Sequence, residues 1–290
     1  FACSNSKVSG MINLYLKGIF VDEASKVSDV IGDKEPSISK NSEENKKVEK
    51  RGMPAEIEAG KRIQDLILSD PEILKKYFSD YSLFYGPKDM IGGDFYMFKE
   101  FDDTIFVIVG DCTGHSLEGA LATMTISTLI NQYVKSSFSY PQSILNNVIA
   151  DLENLNKSER KISYGIHAEL AVIKYKKGSK LMTCSTNGLP LVKVCGEEEE
   201  FFKVKKKMSV KENESVVQEF LISVEKGDYI LAYSDGMPDQ FGKNDMKKLN
   251  HKGVIQLFRK YGGDSIGEHW FDWRGETAQT DDAVFLSIGI

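Results

Sequence analysis

The sequence predicts an α+β fold, and three observations carry that reading. Short strand-forming runs recur with hairpin signals between them, amphipathic helical runs stand among the strands, and one strand is apolar throughout before it ends in an acid. The third observation is the most informative. Ile105 to Val109 is an uninterrupted run of strand-forming residues, expected to be buried on both faces. It stops at Gly110, and Asp111 follows. A tight turn, Cys112-Thr113-Gly114-His115, leads to Ser116, read as a helix N-cap. Leu117, Ala120, Leu121 and Met124 then recur at helical spacing, and small Gly119 and Ala122 admit a close neighbour. A buried strand thus delivers one carboxylate to a turn at the foot of a helix.

In chain order, residues 8 to 31 carry scattered apolar positions without a clean period and read as the remnant of an upstream region, assigned to 1–32. Residues 33–53 are rich in Lys, Glu and Ser, a composition too polar to offset ordering entropy, and read as a flexible linker. Pro54 opens a helix to about Leu68, with Ile57, Ile63, Leu66 and Ile67 on one face. That helix, within a segment 54–79, either packs on the domain or serves as a regulatory or homodimer helix. Tyr81 to Phe84 and Ile91 to Phe98 read as strands, and Asp102-Asp103 as the hairpin turn into the central strand. Pro141 to Leu155 is a helix. Ala168 to Tyr175 and Lys180 to Cys184 are strands joined at Lys177-Gly178, and Asn187-Gly188 is a second hairpin signal before Leu191 to Val194. Val216 to Val224, Tyr229 to Tyr233 and Ala283 to Ile290 complete the strands, and 246–261 reads as a surface helix.

The 290 residues, 41% of them hydrophobic, suffice for one large core or a core with an appendage. A net charge of −6 and dispersed Lys and Arg argue against nucleic acid as the main partner. Cys3, Cys112, Cys184 and Cys195 form no C-x-x-C pair, so reduced thiols and a cytoplasmic setting are expected. No apolar run approaches the roughly 18 residues that span a membrane. Because residue 1 is Phe, a fragment or processed product is expected. A domain junction is the main reading and lipidation at Cys3 the alternative, which would tether the chain to a membrane.

Four acids stand against apolar strand segments: Asp94, Asp111, Asp235 and Asp281. One aspartate at a strand end is usually a turn former. Four are harder to dismiss, because clustered carboxylates repel unless cations neutralise them. If they converge, an all-oxygen site suits Mg²⁺ or Mn²⁺ rather than Zn²⁺; convergence does not follow from spacing alone. The chain has no G-x-x-x-x-G-K-[ST], G-x-S-x-G or H-E-x-x-H, and no arginine follows Cys112 in its turn. Nucleotide-loop, serine-hydrolase, zinc-protease and thiol-phosphatase chemistry are thereby set aside.

The segments IGGDFYMF, VGDCTGHSLEGALATM, AYSDGMPDQFG and TDDAVFLSI, in this order, resemble the metal-dependent protein phosphatase 2C (PPM) superfamily, and within it the bacterial SpoIIE/RsbU-like serine phosphatases. The resemblance runs from about Ala59 to the end of the chain, with the phosphatase domain assigned to 80–290. It implies a four-layer αββα sandwich of two antiparallel sheets flanked by helices, with two Mn²⁺ or Mg²⁺ ions at one end. Carried over by motif, Asp111 bridges both ions, the carbonyl of Cys112 binds one, Asp235 and Asp281 bind the other, and Asp94 acts directly or through water. Asp282 is a second choice. A two-metal activated water then attacks phosphorus in line. The implied substrate is phosphoserine or phosphothreonine on a small partner-switching protein, a STAS-like anti-sigma-factor antagonist, under an upstream sensory region.

Two departures touch loop stiffness and no ligand: Ser116 stands where glycine is usual after Gly-His, and Met237-Pro238 replaces an aromatic or valine with Thr. His115 lies four residues past Asp111, not two, so a catalytic role for it does not simply transfer. The competing class is a catalytically weak module that binds metal or a phosphoprotein without turnover. A two-metal nuclease is a distant third, given the acidic charge.

Overall fold

The computed structural model describes residues 55–290 except positions 115, 159–164, 203, 205–216 and 244–246. The expectations for the upstream remnant, the linker, Cys3 and His115 lie outside the described residues.

Strand periodicity builds two sheets. In β3 (Thr104–Cys112), Ile105, Val107 and Val109 face one core while Phe106 and Ile108 face another, so the strand is apolar on both sides. It lies between β2 (Phe95–Phe101) and β4 (Ala168–Lys176), followed outward by β5 (Leu181–Thr186) and β8 (Gln218–Ser223). The second sheet has the order β1-β10-β9-β6-β7, with β1 at Asp80–Gly86, β6 at Leu191–Cys195, β7 at Glu198–Phe202, β9 at Tyr229–Tyr233 and β10 at Ala283–Gly289. Every pairing is antiparallel.

Between the sheets, Val107 and Ile173 meet Leu191, Ile230, Val284 and Leu286. On the outer face of the first sheet, helices α2 (Ser116–Tyr133) and α3 (Pro141–Ser158) bury Ile126, Ile130, Leu145 and Val148 against Phe106 and Ile108. On the outer face of the second, α5 (Asn250–Tyr261) and α6 (Ile266–Arg274) bury Val254, Phe258 and Trp270 against Leu231 and Phe285. This is the αββα sandwich that the motifs implied. Helix α1 (Ala55–Asp65), a 3₁₀ turn at Pro71–Lys76 and a short α4 (Gly236–Asp239) complete the described elements. No described helix is long and apolar enough to cross a membrane.

Local chemistry explains where the structure departs from the sequence reading. The Asp102-Asp103 hairpin forms as expected, with Asp102 at φ 54° between the paired Phe101 and Thr104. Asn187-Gly188, however, makes no hairpin: β5 and β6 belong to different sheets. The Asn187 carboxamide instead extends the β4 ladder, donating to the Ala168 carbonyl at 2.7 Å and accepting from Leu170 N–H at 2.6 Å. The expected strand over Ile91 to Phe98 begins only at Phe95, because side chains capture the main chain of Gly92 and Gly93. Ser116 is the first residue of α2 with φ 58°, not an extended N-cap. Helix 246–261 starts at Asn250, and α6 had no sequence signal recognised.

Candidate metal centre

All four acids come from strand ends at one side of the sandwich. Asp94 precedes β2 and Asp111 lies near the end of β3, where Phe95 pairs with Gly110. Asp235 follows β9 and Asp281 precedes β10, where Phe285 pairs with Tyr233. One pair therefore belongs to each sheet. One hydrogen bond bridges them: Ser234 Oγ donates to Asp94 Oδ2 at 2.6 Å. Ser234 Oγ in turn accepts from Val284 N–H at 3.0 Å, which fixes its direction.

The electrostatics are those of crowded anions. Asp94 is 2% exposed. Burial first, then the charge of Asp111, pushes its carboxyl well above the usual range, against the Ser234 hydrogen bond. Burial, then Asp235, Asp281 and Glu169, pushes Asp111 up to about 8. Asp235 is raised by burial and by Asp281 and Asp239, with Lys248 opposing weakly. Such a set calls for positive charge in its midst.

The donors suit a hard divalent cation, being carboxylate and carbonyl oxygens. The Cys112 carbonyl points at Gly93, 2.4 Å from where a Cβ on that residue would sit, so glycine is required there. The Cys112 thiol turns away into the core, near Thr123 Oγ1 at 3.8 Å, and burial raises it well above the ordinary thiol range. It is a packing group. Among the described residues, no three Asp, Glu, His or Cys side chains close on one point tightly enough to hold an ion unaided.

Asp282 has a different task from its neighbour. Its carboxylate accepts from Lys88 N–H and Gly93 N–H, both at 2.7 Å, and so ties the 87–94 loop to the start of β10. Sequence reasoning missed three supporting residues. Ser234 sat inside a quoted motif without a role, and Glu169 lies opposite Asp111 in the β3–β4 register. Gln64 of α1, buried at 3% exposure, holds the main chain of Gly92, with Nε2 donating to its carbonyl at 2.6 Å and Oε1 accepting its N–H at 3.3 Å. A polar residue on the buried face of an otherwise amphipathic helix was the available signal. Thr123 Oγ1 completes the cradle by donating to the Gly93 carbonyl at 2.9 Å.

A family model described as stage II sporulation protein E (SpoIIE) matches residues 102–290. Among solved structures, the SiaA-PP2C domain of Pseudomonas aeruginosa is similar at 20% identity and a TM-score of 0.70, covering 81% of this chain and 96% of that one. The PP2C phosphatase domain of SpoIIE from Bacillus subtilis, with a fragment of its regulatory domain, is similar at 14% identity and TM-score 0.57, covering 73% and 63%. The RsbU and RsbW domains of a Mycobacterium tuberculosis protein give 17% and 0.54, covering 72% and 59%. At these identities the likeness is one of fold. No curated protein matches the chain.

Proposed function

Because the chain belongs to the SpoIIE family of PP2C-type serine/threonine phosphatases, we propose that it hydrolyses phosphoserine or phosphothreonine on a small partner-switching protein of the STAS-like antagonist type, using two divalent cations. The observation that carries this reading is that strand ends of both sheets bring their acids to one end of the sandwich, with Asp94 buried and joined to Ser234 of the other sheet, and Asp111 half-buried.

In this reading Asp111, Asp94, Asp235, Asp281 and the Cys112 carbonyl would hold the cations, oxygen donors of the kind that suits Mg²⁺ or Mn²⁺. Bound Mg²⁺ or Mn²⁺ supplies Lewis-acid stabilisation of phosphoryl charge and an activated water at neutral pH. The chain's own contribution is placement. Ser234 fixes the rotamer of Asp94, and Asp282 with Gln64 and Thr123 hold the glycine loop that carries Asp94. Helix α1 joins the proposal as a relay, since Gln64 reaches the loop while Ile63 on the same helix and Leu66 just past its end are exposed, Leu66 at 85%, and suit a second copy or an upstream helix.

The test is hydrolysis of a phosphoserine protein and of a small aryl phosphate with Mn²⁺, with Mg²⁺ and with excess chelator. Turnover is expected only with metal, and full turnover in chelator would overturn the two-metal reading. Metal binding without turnover of either substrate would favour the phosphoprotein-binding module instead.

A further inference from the structure

Strand β1 is an edge of its sheet: it pairs with β10 on one side, and its other side faces a groove of about 880 Å³. The groove runs beside Tyr81, Leu83 and Tyr85, which point between the sheets, and is walled by Phe78 and by Tyr96 of β2. A strand edge beside aromatic side chains is the setting in which proteins take up an extended peptide, through main-chain hydrogen bonds and alternate side-chain pockets.

The two ends of the groove differ. At one end lies Tyr85, whose neighbour Gly86 pairs with Ala283, two residues after Asp281, so this end of β1 lies next to the acid-bearing segment. There the Tyr85 hydroxyl is buried and has no hydrogen-bond partner, an unused polar group at the groove wall. At the other end stand two exposed carboxylates. Asp80 accepts from Tyr229 Oη at 3.0 Å and Asp264 from Ser82 Oγ at 2.6 Å, and no cation pairs with either among the described residues. Lys75, the groove's lysine, is engaged with Glu72 at 2.7 Å. The far end is thus acidic and lacks its counter-charge. Six residue steps separate Asp80 from Gly86, about 20 Å in an extended strand.

We propose that this groove docks an extended segment of the phosphoprotein substrate as an added strand on β1, with a lysine or arginine of that segment about six residues from the phosphorylated side chain. The inference rests on the phosphatase reading of the acidic cluster. Main-chain pairing along β1 supplies affinity, the ring-lined wall accepts alternate apolar side chains, and Asp80 with Asp264 selects the basic residue.

The test uses phosphoserine peptides with an alternating apolar flank and either Lys or Glu six residues away, made in both chain directions. Fluorescence anisotropy of the unphosphorylated versions is measured beside turnover, and a small aryl phosphate serves as the reference substrate. For one direction the Lys peptide is expected to bind and to show kcat/KM about fivefold better than its Glu counterpart, through KM, with the preference shrinking as salt rises. Asp80→Asn with Asp264→Asn should remove the preference and leave aryl phosphate turnover unchanged. Equal anisotropy and equal kcat/KM for Lys and Glu peptides in both directions would overturn the docking groove even with an active enzyme. If no substrate is turned over, the phosphatase reading has failed, and anisotropy alone decides the groove: a Lys preference supports it and its absence overturns it.

Discussion

Gln64 and Gly92 are joined by two hydrogen bonds between one carboxamide and one main-chain unit, 28 residues apart in sequence and buried from solvent. Asp94 lies two residues beyond Gly92, so the position of α1 and the position of a cluster carboxylate are not independent. Gln64→Leu preserves bulk but leaves the Gly92 N–H and carbonyl without these partners, a change that typically costs about 1–3 kcal/mol. The expected outcome is weaker Mn²⁺ binding by calorimetry and reduced turnover that partly recovers as Mn²⁺ is raised. Lys61→Ala, which removes only an exposed ion pair to Asp65, should change neither. Equal metal affinity in Gln64→Leu and parent would leave α1 with a packing role only.

A second comparison sets Asp111 against His115. Uncatalysed phosphate monoester hydrolysis is so slow that enzymes supply factors up to about 10²¹, whereas a general acid typically contributes about 10²–10⁴. Asp111→Asn is therefore expected to keep the fold, weaken metal binding and reduce turnover to background. His115→Ala should lose at most a few powers of ten and retain the metal. Turnover and metal stoichiometry of both variants decide the matter. A dead His115→Ala beside a near-parental Asp111→Asn would require a histidine-centred mechanism.

Ser116 carries φ 58°, a conformation that costs a non-glycine residue roughly 1–2 kcal/mol. Glycine adopts this conformation without that cost. Ser116→Gly should raise thermal stability, by about 0.5–1 kcal/mol after allowance for glycine's freer unfolded chain. A lower melting temperature would mean that the serine hydroxyl makes a compensating bond.

Acid stability should depend on Asp228, which is 3% exposed and lies far from the cluster in the 225–228 turn. Burial pushes its carboxyl up, but Lys193 Nζ at 2.8 Å, the Glu225 N–H at 2.9 Å and the Cys195 thiol outweigh that and leave it below its ordinary value. A depressed carboxyl stabilises the fold above the unfolded-state value of about 3.9 and loses that contribution as pH falls through the folded-state value. Asp228→Asn should lower the melting temperature at pH 7 and flatten its decline below about pH 4. An unchanged acid limb would show that the ion pair contributes nothing.

Much of this fold was legible because strand signals are local. Ile105 to Val109 announced a two-faced strand, and Asp102-Asp103 a tight hairpin, from chemistry contained within a few residues. Asn187-Gly188 misled because the same pair that closes a hairpin can also cap a neighbouring strand with its side chain, and only the partner Leu170 distinguishes the two. The cluster acids were identifiable one by one, as polar residues against buried strands. Their meeting was not, since it depends on both sheets ending at one side. Ser234, Glu169 and Gln64 were harder still: each acts on a residue distant in sequence, 140 positions away for Ser234 and Asp94.

The strand order has a consequence for the newborn chain. β10, last in sequence of the described strands, does not add to the rim of its sheet but fills the slot between β1 and β9. Until it arrives, β1 has no sheet to join, Asp281 is far from its companions and Ser234 lacks the Val284 N–H that aims it at Asp94. Pairing across some 200 residues is slow to nucleate. A chain that has not yet reached Asp281 therefore carries three of the acids without the fourth, and on the two-metal reading their joint hold on cations would wait for β10. Translation arrested just short of Asp281 should yield chains with the first sheet and its helices in place but no metal-dependent thermal shift.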